Sequence, residues 1–365
     1  MFFSFEKSLL MKKNKFIQLF LLIIVAISFT SCKPDVNLTS DYRDITVVYG
    51  LLNPQDQNHY IKIYKGYLTK DNALVWANEL DNISYFDDIE VKLIEHRPNG
   101  EVVTYPMDTV MSVGKNYGTF ASPTQVLYRP VKNLTNHRPV PIREGCLYQL
   151  EITNKKTGRK VTSETTTIAN MAFNIPLGTS QSVSTININK DDPWEVGFRS
   201  NTWPENAYAV DAYVSFRYIE QDKVTGDTVH KSINDICVTS GFVAGNVTVF
   251  KPNIIFKILQ DNIEVNDNVW RYPDTYECID IKLWTCDEVY YTYYHTAQPS
   301  SSIVQDRVKY TNIHADDDMA LGFFASRTYY NRRFRIDVIN HNEDSLAHGQ
   351  WTKNLNFRPY TDLLN

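Results

Sequence analysis

The sequence predicts a mainly β protein, with an N-terminal immunoglobulin-like β-sandwich followed by a second β-rich domain that contains one short helix. Short runs rich in β-branched and aromatic residues recur along the chain, and clusters of Pro, Asn, Asp and Gly separate them. Past the N-terminus, one segment breaks this β pattern with the spacing of a helix. With 365 residues, 43% of them hydrophobic, the chain is long enough for two domains.

The N-terminus has the layout of a secretory signal. A basic stretch (Lys12, Lys13, Lys15) precedes an apolar run over residues 16–29, which is short for a membrane span. The alternative is an uncleaved anchor helix, but no basic cluster follows the run to stop its transfer. We therefore predict a lipoprotein signal peptide over residues 1–31.

The end of this signal resembles the bacterial lipobox. In Phe29-Thr30-Ser31-Cys32 a small residue precedes the cysteine and an apolar residue stands three positions before it. The resemblance implies that Cys32 becomes the acylated first residue of the mature protein. Several acyl chains, at about 0.8 kcal/mol per buried methylene, hold such a protein at the membrane. Residues 32–44, polar and containing Pro34, are predicted to be a tether.

The charge of the mature chain excludes one class of partner. Residues 1–31 contain four basic residues and one acidic residue, so 33 basic and 41 acidic residues remain, a net charge of −8. Nucleic-acid binders are typically basic. We therefore expect no nucleic-acid partner.

The sandwich is predicted over residues 45–168. The strands "ITVVYGLL" (45–52) and "HYIKIYKGYL" (59–68) flank a turn at residues 53–56. A hairpin joins residues 89–96 to residues 101–107 through Arg97-Pro98-Asn99-Gly100, and the segments 146–154 and 161–168 repeat the pattern. Short strands with turns between them are typical of a sandwich.

Residues 169–182 contain Pro176 and Gly178 and are predicted to link the sandwich to a second domain over residues 183–365. Its candidate strands are residues 194–200, 207–221, 247–260 and 276–284, with a turn at 222–228. The segment "TCDEVYYTYYHTAQPS" (285–300) is the predicted helix, since Thr285 and Glu288 have the spacing of a capping box.

Four cysteines follow Cys32, at positions 146, 237, 278 and 286. In an exported protein they form one or two disulfides or stay as buried thiols, and the sequence leaves both alternatives open. Cys278 and Cys286 are too far apart to pair within one continuous strand. A bend from strand to helix at Thr285 would bring them closer.

Catalytic and metal-binding motifs are largely missing from the sequence. It contains no G-x-S-x-G, no H-E-x-x-H and no phosphate loop of the P-loop type, so we predict neither catalytic residues nor a cofactor. The acidic run His314-Ala315-Asp316-Asp317-Asp318 lacks the spacing of a calcium loop and is interpreted as a solvated loop. Trp203, beside Pro204 in "NTWPEN", is the candidate exposed aromatic for ligand binding, with core packing as its alternative.

Several segments resemble one family. "YQLEITNKKTGRKVTSETTTI" (148–168), the tyrosine-rich "EVYYTYYHTA" (288–297), "KYTNI" (309–313) and "ALGFFAS" (320–326) are similar to outer-membrane lipoproteins of Bacteroidota that are grouped as a domain of unknown function. The resemblance implies an accessory protein beside a TonB-dependent transporter, where it captures a ligand or caps the barrel.

The expected function is therefore that of a non-enzymatic ligand-binding or accessory lipoprotein, held at the outer membrane through Cys32. One alternative is a surface adhesin or fimbria-associated subunit, which would use exposed sheet edges for assembly. Another is a hydrolase whose site is assembled from distant residues. The sequence selects neither a ligand nor a face of the membrane.

Overall fold

β-strands dominate the computed structural model of the chain, which confirms the predicted mainly β class. The structure describes residues 45–66, 72–112, 124–131, 138–172, 185–189, 191–199, 201–243, 248–274, 278–297, 310–336 and 342–363. The predicted signal peptide, Cys32 and the tether lie outside this part of the chain, as does most of the predicted linker. Among the described residues, no helix has the length and apolar character that a bilayer span requires.

The first half of the chain contains the predicted strands and hairpins. Its strands are β1 (Thr46–Leu52), β2 (Ile61–Lys65), β3 (Ile89–His96), β4 (Val102–Ser112), β5 (Gln125–Pro130), β6 (Leu147–Asn154) and β7 (Lys160–Thr166). The pairs β1–β2, β3–β4 and β6–β7 are antiparallel, as the turn residues between them predict. Two short helices, α1 (Ala73–Trp76) and α2 (Leu80–Ile83), and a 3-10 turn (Phe86–Asp88) lie between β2 and β3.

The second half mixes long strands with helices. Its strands are β8 (Thr185–Ile186), β9 (Val196–Gly197), β10 (Ala209–Asp222), β11 (Thr228–Val243), β12 (Thr248–Phe250), β13 (Val269–Pro273), β14 (Ile279–Cys286), β15 (His314–Ala315) and β16 (Ala320–Ile336). Its helices are α3 (Ile254–Asn262), α4 (Glu288–Ala297) and α5 (Asn342–His348), and two 3-10 turns follow (Lys353–Leu355, Tyr360–Leu363).

The prediction of a strand over residues 247–260 is wrong beyond β12, because residues 254–262 form the helix α3. Ile255, Phe256, Ile258 and Leu259 are all buried, and their spacing places them on one face of a helix. Pro252 lies in the turn that separates β12 from this helix. The second half therefore holds more than the one short helix that the sequence predicts.

A single sheet connects the two halves of the chain. Its strands follow the order β11-β10-β14-β16-β1-β2-β5-β4-β3-β6-β7-β15. The long strand β16 lies between the halves, because its residues 320–326 pair in parallel with β1 and its residues 327–334 pair antiparallel with β14. The first half therefore takes a strand from a region that the sequence assigns to the second domain, and the described residues belong to one compact unit.

Two hydrophobic cores lie along this sheet. The first contains inward-facing residues of β1, β2, β3, β5, β6 and β7 together with Ile313, Ala320 and Phe324 from the second half. The second packs β10 and β14 against α3, β9 and the C-terminal segment. The fully buried Arg271 fastens that segment, since it donates to the Leu355 carbonyl (2.7 Å) and pairs with Glu220 (2.9 Å).

Asn312, from the segment "KYTNI", meets the segment "ALGFFAS" (320–326) at the start of β16. The Asn312 side chain accepts a hydrogen bond from the Phe324 amide (3.0 Å) and donates one to the Phe324 carbonyl (2.8 Å). Gly322 has a φ of +103°, and a Cβ at this position would lie 1.9 Å from the Val48 carbonyl oxygen. Only glycine allows β16 to approach β1 this closely.

Candidate functional site

The site is built on the face of the second-half sheet that points away from the core. Alternate residues of β10 and β14 point into the core (Val210, Ala212, Ile281, Leu283), so their neighbours point to the other face. There Asp211, Trp284 and Tyr329 lie side by side on β10, β14 and β16. We call this surface the open face.

Helix α4 covers one end of the open face, and it follows β14 with one residue between them. The predicted capping box at Thr285 and Glu288 is wrong, because Thr285 is buried in β14 and donates to the Ala209 carbonyl (2.9 Å). Asp287 caps the helix instead, and its Oδ1 accepts from the Tyr290 amide (2.8 Å). The helix that the sequence predicts over residues 285–300 is confirmed over residues 288–297.

Asp287 also fixes the helix to both halves of the sheet. Its Oδ2 accepts hydrogen bonds from the Ser326 amide of β16 (2.7 Å) and from the Thr165 hydroxyl of β7 (2.8 Å). The residue is 8% exposed, and burial raises the pKa of its carboxyl group more than these bonds lower it. One buried carboxyl group therefore ties the start of α4 to β7 and β16.

A cavity of about 350 Å³ lies between α4 and the open face, and we call it the tyrosine cleft. This volume is within the range of small-molecule sites, roughly 300–1,000 Å³. Its aromatic walls are Tyr213, Trp284, Tyr290, Tyr291 and Tyr294. Its polar lining includes Asp211, Ser240, Cys286, His295 and Arg327.

Two charged groups of the tyrosine cleft are held in place by neighbours that do not neutralise them. Asp211 Oδ1 accepts from the Ser240 hydroxyl (2.9 Å) and from the Gly241 amide (2.7 Å). The Arg327 guanidinium stacks over the Trp284 ring, 4.8 Å from its centroid. Trp284 in turn packs against Tyr329 (4.8 Å between centroids).

The cleft contains a thiol that is poorly suited to nucleophilic chemistry. Burial, with the nearby Asp287 and Asp211 carboxylates, raises the pKa of Cys286 to about 12. Only a thiolate is an effective nucleophile, so this thiol is protonated at neutral pH. Burial also raises the pKa of Tyr213 and of Tyr290.

A second recess, of about 670 Å³, lies in the first half between Pro54, Tyr105, Pro139 and Arg143. Beside it Glu95 has no exposed side-chain surface and accepts from the Tyr105 and Tyr148 hydroxyls (2.9 and 2.8 Å). Burial raises the pKa of Glu95, but hydrogen bonds from Arg97, Tyr148 and Tyr105 outweigh it and lower the pKa overall. Arg143 also pairs with Glu95 (3.2 Å), so the negative charge of Glu95 beside this recess is already neutralised by arginine.

The candidate ligand-binding residue Trp203 does not line the tyrosine cleft. Its indole N–H donates to the Ala207 carbonyl (2.8 Å), and its ring packs against Phe198 (5.2 Å) and Phe242 (6.0 Å) at the border of the second core. It is only partly exposed. These contacts favour the packing alternative for Trp203, while a binding role for it stays a prediction.

The acidic run and the four cysteines are the other residues that the sequence singles out. In the acidic run, Asp317 pairs with Arg159 (2.9 Å). Within the described part of the chain, no group of three or more His, Cys, Asp or Glu side chains is placed to hold a metal ion. Cys146, Cys237, Cys278 and Cys286 are free thiols. Cys286 does not lie near Cys278, because β14 continues from Ile279 to Cys286 and keeps their Cα atoms roughly 25 Å apart.

The sequence predicts the tyrosine-rich helix α4 but not the cleft beneath it. Asp211 and Arg327 are 116 positions apart in the chain and meet only because β10, β14 and β16 are neighbours. One local signal was available: Asp211, Tyr213 and Trp284 stand at the outward positions of strands whose other face is apolar.

The fold and the site define a mainly β protein with an aromatic, charged cleft above an open sheet face. The chain belongs to the family described as a domain of unknown function (DUF4249), which matches residues 33–333. Comparison with curated proteins and with solved structures gives no match.

Proposed function

We propose that the protein is a non-enzymatic outer-membrane lipoprotein, anchored through Cys32, that binds a small ligand in the tyrosine cleft as an accessory to a TonB-dependent transporter. The observation that carries the binding role is the cleft itself, in which aromatic walls surround an acidic and a basic side chain. The anchor and the transporter rest on the lipobox at Cys32 and on the family resemblance.

The protonated Cys286 thiol supports a binding role over a catalytic one. A cysteine hydrolase needs a thiolate beside a base, and burial in this cleft favours the neutral thiol. Tyrosine and tryptophan rings supply contact area for a ligand at low cost in conformational entropy. A screen with glycan and peptide substrates tests this assignment, and turnover that is lost on Cys286→Ala would contradict it.

The anchor is tested with Cys32→Ala and a matched control. We expect Cys32→Ala to release the protein from the membrane or to trap its uncleaved precursor, because no acyl chains can then be attached. Cys237→Ala removes an exposed thiol outside the signal and should leave membrane retention unchanged. Normal processing and retention of Cys32→Ala would refute the anchor.

The accessory role is tested by co-purification. The tagged, lipidated protein is extracted from its native outer membrane in mild detergent, and proteins that elute in near-equal amounts are identified. We expect a transporter barrel among them. A protein that elutes alone would contradict the accessory role.

The adhesin alternative is favoured by one observation, the strand β11 at the end of the sheet. Its 16 residues offer a long edge to another chain. The same strand carries features that discourage edge pairing, since its register with β10 shifts at several points and Asp235 and Gly241 have positive φ angles. Filaments or ladders of the purified protein would support the adhesin.

A further inference from the structure

Asp211 and Arg327 share the tyrosine cleft, and neither has an ion-pair partner among the residues that the structure describes. Both hydrogen bonds to Asp211 end on Oδ1, which leaves Oδ2 to accept from a ligand. The Arg327 guanidinium lies over the Trp284 ring. Its N–H bonds lie in the guanidinium plane and can donate to a ligand. Both residues are half-buried.

Two basic residues further along the open face, by contrast, have acidic partners. Lys282 meets Asp235 at 3.1 Å, and Arg217 meets Asp280 at 3.1 Å. An uncompensated acid and base are therefore a particular feature of the cleft end of this face. Partly desolvated charges are costly unless they are paired, and a bound ligand can supply the partners.

The register of the sheet places the two groups on opposite sides of β14. Asp211 lies opposite Trp284 on one side of this strand, and Arg327 lies opposite Cys286 on the other. The two strands are about two strand spacings apart, roughly 9.6 Å, and the two-residue offset along β14 adds about 6.7 Å at right angles, so the two Cα atoms lie roughly 12 Å apart. The Arg327 guanidinium lies over the ring of Trp284, a residue of the strand between Asp211 and Arg327.

We propose that the tyrosine cleft binds a small zwitterion, an α-amino acid or short peptide with an apolar or aromatic side group. Its ammonium group donates to Asp211, and its carboxylate accepts from Arg327. Its side group packs against Tyr290, Tyr291 and Tyr294. This assignment rests on the proposed ligand-binding function and names the class of ligand.

The two charges disfavour the other small-ligand classes. A neutral sugar would stack on the tyrosines but leave an acid and a base desolvated without charged partners. An anion would meet the Asp211 carboxylate, and a cation would meet the Arg327 guanidinium. A zwitterion satisfies both groups at once.

The test is calorimetric titration of the purified lipidated protein in detergent micelles. The probes are L-phenylalanine, the dipeptide L-phenylalanyl-L-phenylalanine, N-acetyl-L-phenylalanine, L-phenylalanine amide and methyl glucoside. We expect one or both zwitterions to bind, and each blocked derivative to bind roughly tenfold or more weakly, since hydrogen bonds between charged groups are the stronger ones. The preferred zwitterion distinguishes a free amino acid from a peptide.

Two variants assign each charge to its partner. In Asp211→Asn, the N-acetyl derivative should bind as well as the zwitterion, because the carboxylate that pairs with the ammonium group is gone. In Arg327→Gln, the amide should bind as well as the zwitterion, because the guanidinium that pairs with the carboxylate is gone. The matched controls are Asp261→Asn, an exposed carboxylate on α3, and Arg358→Gln, which loses an arginine stacked on Trp270 away from the cleft. Both controls should bind like the wild type.

The inference is overturned if neither zwitterion binds, if the blocked derivatives bind as well as the zwitterions, or if methyl glucoside binds more tightly than they do. The comparison of zwitterions with blocked derivatives uses the wild-type protein and stands even if a variant fails to fold. Co-purification with a transporter is measured independently. If the transporter co-purifies but the titrations give one of these results, the ligand class is refuted and the accessory role is not.

Discussion

Replacement of Asp287 by alanine tests the residue that holds α4 against both halves of the sheet. The carboxylate accepts three hydrogen bonds within 2.8 Å, from Tyr290, Ser326 and Thr165. Loss of the helix cap costs about 1 kcal/mol. The buried Ser326 amide and Thr165 hydroxyl would each lose a partner, at about 1–3 kcal/mol apiece. We expect the free energy of unfolding to fall by about 3–5 kcal/mol, with allowance for partial relaxation.

The assay is urea unfolding of the purified protein, followed by tryptophan fluorescence. Glu288→Ala is the matched control, because Glu288 is the next residue, is exposed and lies in the first turn of α4. The control should cost less than about 1 kcal/mol. If Asp287→Ala costs no more than this control, the carboxyl group does not hold the helix as argued.

The same residue gives a pH dependence with a defined sign. Burial raises the pKa of Asp287 in the folded protein above its ordinary value of 3.8. The folded state therefore binds this proton more tightly than the unfolded state, and the contribution of Asp287 to wild-type stability falls as pH rises from 3.8 through the folded pKa. Asp287→Asn lacks this dependence, so its stability deficit should shrink over that interval and then stay constant. A deficit that grows with pH would reverse the argument.

Three further substitutions test other parts of the fold. Gly322→Ala should prevent folding, since its Cβ would lie 1.9 Å from the Val48 carbonyl oxygen. Gly100 is the control: it also has a positive φ, but a Cβ there meets free space, so Gly100→Ala should cost only about 1 kcal/mol. Soluble yield and melting temperature distinguish the two variants. Glu95→Gln should have a lower free energy of unfolding than the wild type at neutral pH. This difference should close as pH falls below the ordinary carboxyl pKa of 4.5, because the stability that the lowered pKa of Glu95 gives the wild type is lost there. Urea titrations of the two proteins that fail to converge at low pH would contradict this. Trp203→Ala should destabilise the protein by about 2–3 kcal/mol in urea unfolding, and an unchanged urea transition would return Trp203 to the candidate binding residues.

Local pattern was sufficient for most strands and for the tyrosine helix. The alternation of apolar and polar residues in β3 and the turn at residues 97–100 are properties of neighbouring positions, so the hairpin follows from them. The helix α3 shows the limit of this reasoning. A short run such as residues 254–259, apolar except for Lys257, fits a buried strand or a buried helix, and packing against the second core decides between them.

The sequence by itself determined the mainly β class, the hairpins of the first half, the position of α4 and the lipobox-like segment at Cys32, because each depends on residues close together in the chain. Only the tertiary structure decided that β16 serves both halves, that Asp287 caps α4 while binding β7 and β16, and that Asp211 and Arg327 share a cleft. These features depend on which strands become neighbours across more than a hundred residues. That choice is made by the burial of whole sheet faces, and no local spacing in the sequence encodes it.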